Sequence, residues 1–383
     1  MKIAFLISEY PHPKTGFAAG IGTSIMNLSK GLLDLGHEVV ILIYGQDRDE
    51  VFSENRMVFY KIKNVKLKGF SRLLTQKKIE KLINSLVKQS KIDIVEAPDW
   101  TGITSNIKSK CPMVVKLHGS DTYFCHLDNR PVKFLNKFRE KRAIQNADAL
   151  LSVSQYTADV TKQLFSLQRD FTIIPNGIDI KKFSAESASK VEENTILYFG
   201  TLIRKKGLLE LPLIFNEVYK QNNTAKLILI GRDSSDIISG NVSTWAMMQS
   251  LFNKNALNNV NYIGSVAYDK ITEHISTASI CVFPTFAEAL PVSWIEAMAL
   301  KKAIVASDIG WATEVIDDGI NGFLVNPKNH KEYADKILEL LGNNELRNQF
   351  GIEARRKVEQ KFSIEVVARQ SVDYYQKINK KKV

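Results

Sequence analysis

Two glutamates separated by seven residues, Glu288 and Glu296, stand in the stretch Phe283-Pro284-Thr285-Phe286-Ala287-Glu288-Ala289-Leu290-Pro291-Val292-Ser293-Trp294-Ile295-Glu296-Ala297-Met298. The pattern reads as a strand end, a loop holding Glu288, then a helix with Pro291 in its first turn, where a missing N–H costs little. Glu296 falls inside that helix, bracketed by Ile295, Ala297 and Met298. A carboxylate among apolar neighbours is costly unless it accepts hydrogen bonds. A ribose diol would supply them. Glutamates near strand–helix junctions are also common caps, so neither residue means much alone.

Three further constellations carry chemistry. Gly200-Thr201-Leu202-Ile203-Arg204-Lys205-Lys206-Gly207 places three adjacent cations after a strand-like run. Such a loop suits a pyrophosphate, with lysine as point charge and arginine as fork, and it equally reads as a solvated loop. His118, followed by Gly119, ends the apolar run 113–117 and can present a ring nitrogen to a sugar hydroxyl or move a proton. Read alone, it is as well a structural histidine. Gly16, Gly20 and Gly22 precede a helical pattern, a loop that lets backbone N–H groups approach a phosphate. The spacing is not GxGxxG, so the dinucleotide fingerprint is absent.

The elements that must position these residues alternate. Short apolar runs at 2–8, 39–44, 92–96, 113–117 and 149–153 read as strands buried on both faces, with a helix from about Thr23 to Leu35 after the first. The pattern restarts with strands at 195–199, 226–230, 260–263, 279–283 and 303–306, and helices at 208–220, 268–276, 291–300 and 329–341. Two βα series predict two α/β domains, each a doubly wound Rossmann-like sheet, with ligands at the carboxyl ends of the strands. The expected division is 1–183, a polar linker at 184–194, 195–361, and a last helix at 362–383 that packs on either domain.

With the order and spacing of its motifs taken together, the chain resembles the retaining family-four glycosyltransferases of GT-B fold. Glu288 and Glu296 followed by Ala-Met-Ala are similar to the family's E-x7-E motif. Pro175-Asn176-Gly177-Ile178-Asp179 with Phe183 resembles P-N-G-[IV]-D…F, and Ser152-Val153-Ser154 resembles the family's strand end. Gly200 to Gly207 resembles G-R-L-x-x-x-K-G, and Gly319-Ile320-Asn321-Gly322-Phe323-Leu324-Val325 resembles D-G-x-N-G-x-L-V.

The resemblance implies two Rossmann-like domains facing each other and transfer with retention from a nucleoside-diphosphate sugar. It implies that Glu296 bonds the ribose, Glu288 faces the donor sugar with Leu290 and Pro291 beside it, and Lys206 neutralises the leaving diphosphate. His118 would touch the sugar near the reacting carbon, and Gly20 and Gly22 would admit the diphosphate. No metal or other cofactor is expected. Two departures stand out: the family's arginine after the first glycine is Thr201, so Arg204 or Lys205 would supply that charge, and the usual glycine after the first glutamate is Ala289.

Composition bounds the partners. The 383 residues carry a net charge of +11, and residues 1–185 hold +10 of it against +1 for residues 186–383. A basic first half suits an anionic partner, while a lysine-rich solvated surface is the plainer reading. The amphipathic stretch Lys66 to Lys91, with Phe70, Leu73 and Leu74, is the candidate for an anionic membrane surface. Three scattered cysteines argue for a reducing compartment and against a disulfide framework or zinc. No apolar run of spanning length occurs, so the expected location is cytoplasmic, peripheral at most on the inner face of the cell membrane. The acceptor implied by the resemblance is a saccharide or lipid-linked saccharide of bacterial surface polysaccharide or lipopolysaccharide synthesis. The alternatives are a nucleotide-sugar epimerase of similar fold and a basic nucleic-acid-binding protein; no nucleic-acid-binding signature is present, and none is expected as partner.

Overall fold

The computed structural model describes residues 1–16, 20–183, 191–267 and 270–382. The chain divides into two units, Met1–Asp179 with Lys361–Val383, and Ile180–Gln360.

In the first unit the apolar runs become β1 (Lys2–Ile7), β2 (Glu38–Gln46), β3 (Glu50–Glu54), β4 (Met57–Lys63), β5 (Ile94–Pro98), β6 (Met113–Leu117), β7 (Ala149–Ser152) and β8 (Thr172–Ile173). They form one sheet in the order β3-β4-β2-β1-β5-β6-β7-β8, parallel except for the β3–β4 hairpin. Strand order reverses between β1 and β5, the point at which such sheets open a crevice at the strands' carboxyl ends. Helices α1 (Gly20–Asp34), α2 (Ser71–Lys88), α3 (Asp121–Leu127) and α4 (Phe134–Asn146) follow in chain order. Nothing in the sequence marks the β3–β4 hairpin, because its turn is Asn55-Arg56, both at positive φ, instead of the usual Asn-Gly.

The last helix, Ile364–Lys382, belongs to the first unit. It lies so close to α1 that a Cβ on Gly31 would stand 2.8 Å from the Cβ of Ala368. Val367, Ala368, Val372 and Tyr375 join the core formed by one face of the sheet and α1, and α2 covers the other face through Ile79, Ile83 and Leu86. The Pro-Asn-Gly-Ile-Asp motif fastens these parts together. Ser24 donates to Asn176 (2.7 Å), Asn27 donates to the Gly177 carbonyl (3.1 Å), and Lys30 pairs with Asp179. Ile178 exchanges backbone hydrogen bonds with Phe362 and Ile364. That motif is therefore structural in this fold.

The second unit holds β9 (Thr195–Phe199), β10 (Lys226–Ile230), β11 (Val260–Gly264), β12 (Ile280–Phe283), β13 (Ala303–Ser307) and β14 (Phe323–Val325) in a parallel sheet ordered β11-β10-β9-β12-β13-β14. Its order reverses between β9 and β12. Of the expected linker, 184–190 lies outside the described residues, and 191–194 is held by the second sheet: Glu192 N–H donates to the Thr277 carbonyl and Glu193 pairs with Arg347. Residues 180–183 also belong to the second unit, since Arg355 donates to the Phe183 carbonyl at 2.7 Å.

Candidate active site

The second unit's site grows from its two central strands. Because β9 and β12 are neighbours, the loops that follow them meet. Gly207, at φ +74, presses against the Pro284 carbonyl so closely that a Cβ would sit 1.7 Å from the oxygen. The Lys205 carbonyl accepts the N–H groups of Phe286 and Ala287 at 2.8 and 3.2 Å. Ser307 donates to the Thr285 carbonyl from the next strand, β13 (2.6 Å). This clamping brings Lys206 against Glu288 as an ion pair, with both side chains largely screened from solvent. Burial first, then the neighbouring Lys205 charge, push the Lys206 ammonium below its ordinary range, and contact with a carboxylate works against that shift.

Glu296 is buried on the helix Val292–Ala299, flanked by buried Trp294, Ile295, Ala297 and Met298. Pro291 is the residue that caps this helix, one position before its first turn, and Leu290 is buried in the loop. The structure thus places Lys206, Glu288, Leu290, Pro291 and Glu296 together on adjoining segments at the carboxyl ends of β9 and β12.

Arg204 departs from expectation. Its guanidinium forms a two-pronged pair with Asp236 in the loop after β10, Nε to Oδ1 at 2.9 Å and a second nitrogen to Oδ2 at 2.7 Å. The pair holds the Asp236 carboxyl well below the usual carboxylate range, with Ser239 adding hydrogen bonds. An arginine so engaged shapes the loop. Its side chain remains part-exposed, with N–H groups beyond the two that bond Asp236, beside Lys205 in the same loop. The Asp317–Gly322 turn is likewise structural: Asn321 and Asp317 exchange hydrogen bonds at 3.0 and 2.9 Å.

In the first unit His118 follows β6 and is buried. Its backbone N–H donates to Asp99 at 2.9 Å, and Gly119 needs glycine because its φ is +89 and a Cβ would strike the Phe124 ring. Burial, helped by Lys116, keeps the imidazole pKa well below its ordinary value. His118 is therefore neutral at physiological pH, fit to accept or donate one hydrogen bond. Gly20 and Gly22 lie within the first turn of α1, not in a loop before it. A Cβ on Gly20 would meet nothing within 4 Å, so packing does not demand glycine there. Residues 17–19 of the expected glycine loop lie outside the described residues.

Sequence reasoning missed what holds His118. Glu96 and Lys116 are wholly buried on the neighbouring strands β5 and β6, and Tyr375 of the last helix donates to Glu96 at 2.6 Å. Asp99 is buried too, and desolvation raises its carboxyl to about 7. Glu140 of α4 accepts the backbone N–H groups of Thr101, Asp121 and Thr122. The available signal was a charge inside an apolar strand run, in IVEAP and MVVKL, which implies a buried partner.

The Asp99 shift has a measurable consequence. A carboxyl whose folded pKa lies above its unfolded value favours folding when protonated, so its penalty grows from the ordinary carboxylate range up to about pH 7 and then stops. Asp99→Asn removes the titration and keeps an oxygen for the His118 N–H. Denaturant melts should show the variant gaining about 2–3 kcal/mol on the wild type between pH 5 and pH 7, at about 1.4 kcal/mol per pH unit. A constant difference across that range would mean that Asp99 is ionised throughout.

Among the described residues no three His, Cys, Asp or Glu side chains gather as metal ligands, and no helix is long and apolar enough to cross a membrane.

Comparison with known proteins shows the family and the fold. Residues 179–357 match the model for glycosyl transferases group 1, and residues 18–182 match that for glycosyltransferase family 4. An uncharacterised glycosyltransferase of Methanocaldococcus jannaschii is 26% identical over 374 residues, covering 95% of each chain. Sucrose-phosphate synthase from Thermosynechococcus elongatus superimposes with a TM-score of 0.79 at 18% identity over 99% of each chain. Anabaena HepE, solved in complex with UDP-glucose, does so with a TM-score of 0.74 at 17% identity, over 98% of this chain and 99% of its own. The fold is GT-B, and the chain belongs to the group 1 glycosyltransferases.

Proposed function

We propose that this glycosyltransferase moves a sugar, with retention at the anomeric carbon and without a metal ion, from a nucleoside-diphosphate sugar to a saccharide or lipid-linked saccharide. The observation that carries the reading is the meeting of Lys206 and Glu288 where the second sheet's strand order reverses, with Glu296 buried on the helix that follows. Supporting it is the UDP-glucose bound to HepE. In this reading Glu296 accepts the ribose hydroxyls. The diphosphate competes with Glu288 for Lys206, so donor binding turns Glu288 toward the sugar. As the bond to the leaving group breaks, negative charge builds on the diphosphate, and a cation already fixed there lowers the barrier without reorganising. The neutral His118 bonds a sugar hydroxyl, and the first turn of α1 at Gly20 and Gly22 offers N–H groups to the diphosphate. Ionised side chains take the part a metal plays elsewhere.

A panel of UDP-, GDP- and ADP-sugars read by thermal shift tests the donor class, since a ligand of the native state raises the melting temperature. Transfer assayed in EDTA, with the product anomer read by NMR, tests the rest. Glu296→Gln should weaken binding of the matching free nucleotide by about 1–3 kcal/mol in calorimetry. No shift with any donor, dependence on added magnesium or manganese, an inverted product, or unchanged affinity in the variant would each remove the corresponding part.

A further inference from the structure

We propose that Tyr375, Glu96 and Lys116 form a buried positioning network through which the last helix fixes the state of His118 in the transfer reaction. All three are wholly buried in the first unit. Side chains alternate along a strand. Ile94 of β5 and Val114 of β6 belong to the core shared with α1 and the last helix, whereas Val95, Ala97 and Met113 belong to the core under α2. Glu96 and Lys116, two residues beyond Ile94 and Val114, therefore point to the side of the last helix, with Glu96 opposite Val114 and Lys116 opposite Pro98 in register. One more alternation, just past the end of β6, brings His118 to the same side.

The links depend on one another. Tyr375 donates to Oε2 of Glu96 at 2.6 Å, and its helix is held in place by Tyr374 on the Leu150 carbonyl and by Ala368 against Gly31. The other Glu96 oxygen is buried with no hydrogen-bond partner among the described residues. A carboxylate so placed stays ionised only with a cation nearby. Burial disfavours the charged form of both Glu96 and Lys116, and each is the charge that opposes this in the other. Losing the tyrosine bond weakens ionised Glu96, and losing ionised Glu96 leaves an ammonium that burial drives neutral. The charge on Lys116 thus depends on the seating of the last helix.

That charge bears on His118. Residues two apart on a strand are separated by about 7 Å, near enough in an interior for one charge to act on the other. Burial first, then Lys116, disfavour the imidazolium. The other titratable groups beside His118 are Asp99 after β5, which accepts its backbone N–H, Asp121 and Tyr123 of α3, and Glu140 of α4. Asp99 is raised to about 7, so below that pH it is mostly uncharged and does not offset Lys116. The consequence rests on the role proposed for His118. As the bond to the diphosphate breaks, positive charge gathers on the sugar. An imidazolium beside it would raise the barrier, whereas a neutral ring can bond a hydroxyl without that penalty.

The test is an NMR titration of the imidazole nitrogens in the free protein, with the His118 signals assigned from a His118→Gln spectrum, set beside the pH profile of kcat/KM. In Lys116→Met, whose side chain fills much the same space, the ring should take its proton at a pH higher than in the wild type by about one unit or more. The acid limb of kcat/KM should move with it. Tyr375→Phe, which removes one hydroxyl, should shift both in the same direction by less. Glu96→Gln combined with Lys116→Met leaves no charge buried in the network, so it should follow the single lysine variant and stands in for it where that one folds poorly. A network that only held the fold would change the melting temperature and leave both titrations where they are. A His118 titration unmoved in the lysine variants, or in Tyr375→Phe, would overturn the proposal. A ring that shifts while transfer keeps its wild-type acid limb would uphold the network and remove His118 from the reaction, so the two readings fail separately.

Discussion

Lys206→Ala should lower kcat at saturating donor by about 10²–10³-fold in protein that still melts cooperatively above the assay temperature. The size follows from removing one preorganised charge from the position where leaving-group charge develops. A stability cost accompanies it, because the variant no longer buries an ammonium but leaves the largely screened Glu288 without its cation. The pH dependence adds a second readout. Burial and Lys205 lower the Lys206 pKa, so the active ammonium form disappears at a lower pH than in a free lysine. The wild-type kcat/KM, which reports the free enzyme, should fall on an alkaline limb that the variant lacks. Arg204→Ala is the informative contrast. It leaves Asp236 without its guanidinium, so its cost should appear in stability more than in turnover. Near-wild-type turnover in Lys206→Ala would transfer the role to Lys205.

The candidate site was legible wherever a residue type is costly in its sequence context. Glu296 stood out because a carboxylate in an apolar helix needs partners, and it is buried on that helix. The pairing of Lys206 with Glu288 could not be read, since it depends on β9 and β12 being neighbours although β10 and β11 intervene in sequence. Arg204 shows the same limit from the other side. Three consecutive cations look equivalent in sequence, yet Asp236 engages one and Glu288 another, both through loops after other strands.

The fold was more legible than the site because parallel strands buried on both faces announce themselves as apolar runs. Elements that depart from that pattern were lost. The β3–β4 hairpin lies at the sheet edge, where alternating polar residues such as Ser53 and Lys61 interrupt the run. The three-residue β14 is too short to carry a period. Helix α1 begins at Gly20, earlier than glycine's poor helix propensity suggested, because a first-turn N–H lacks an intrahelical partner in any case. The last helix had two possible hosts in sequence. Tyr375 on buried Glu96, Tyr374 on the Leu150 carbonyl and Gly31 against Ala368 fix it on the first unit.

Gly207→Ala should be the most damaging small substitution in the second unit, and Gly240→Ala measures why. The two glycines have nearly the same φ, +74 and +75. An alanine in that left-handed region costs about 1–2 kcal/mol at either position. Around Gly240 the added methyl meets nothing within 4 Å, so the strain is the whole effect. At Gly207 the methyl would lie 1.7 Å from the Pro284 carbonyl oxygen, a backbone atom that cannot rotate away. The loop must then leave β12's loop, breaking the bonds from Phe286 and Ala287 to the Lys205 carbonyl and parting Lys206 from Glu288. Denaturant melts should give a loss of about 3 kcal/mol or more for Gly207→Ala, against about 1–2 for Gly240→Ala. The thermal shift given by the matching nucleotide should vanish in the first variant and persist in the second. Equal losses with both shifts intact would show that the two loops yield to a methyl group, and the contact at Gly207 would then not be what holds Lys206 in place.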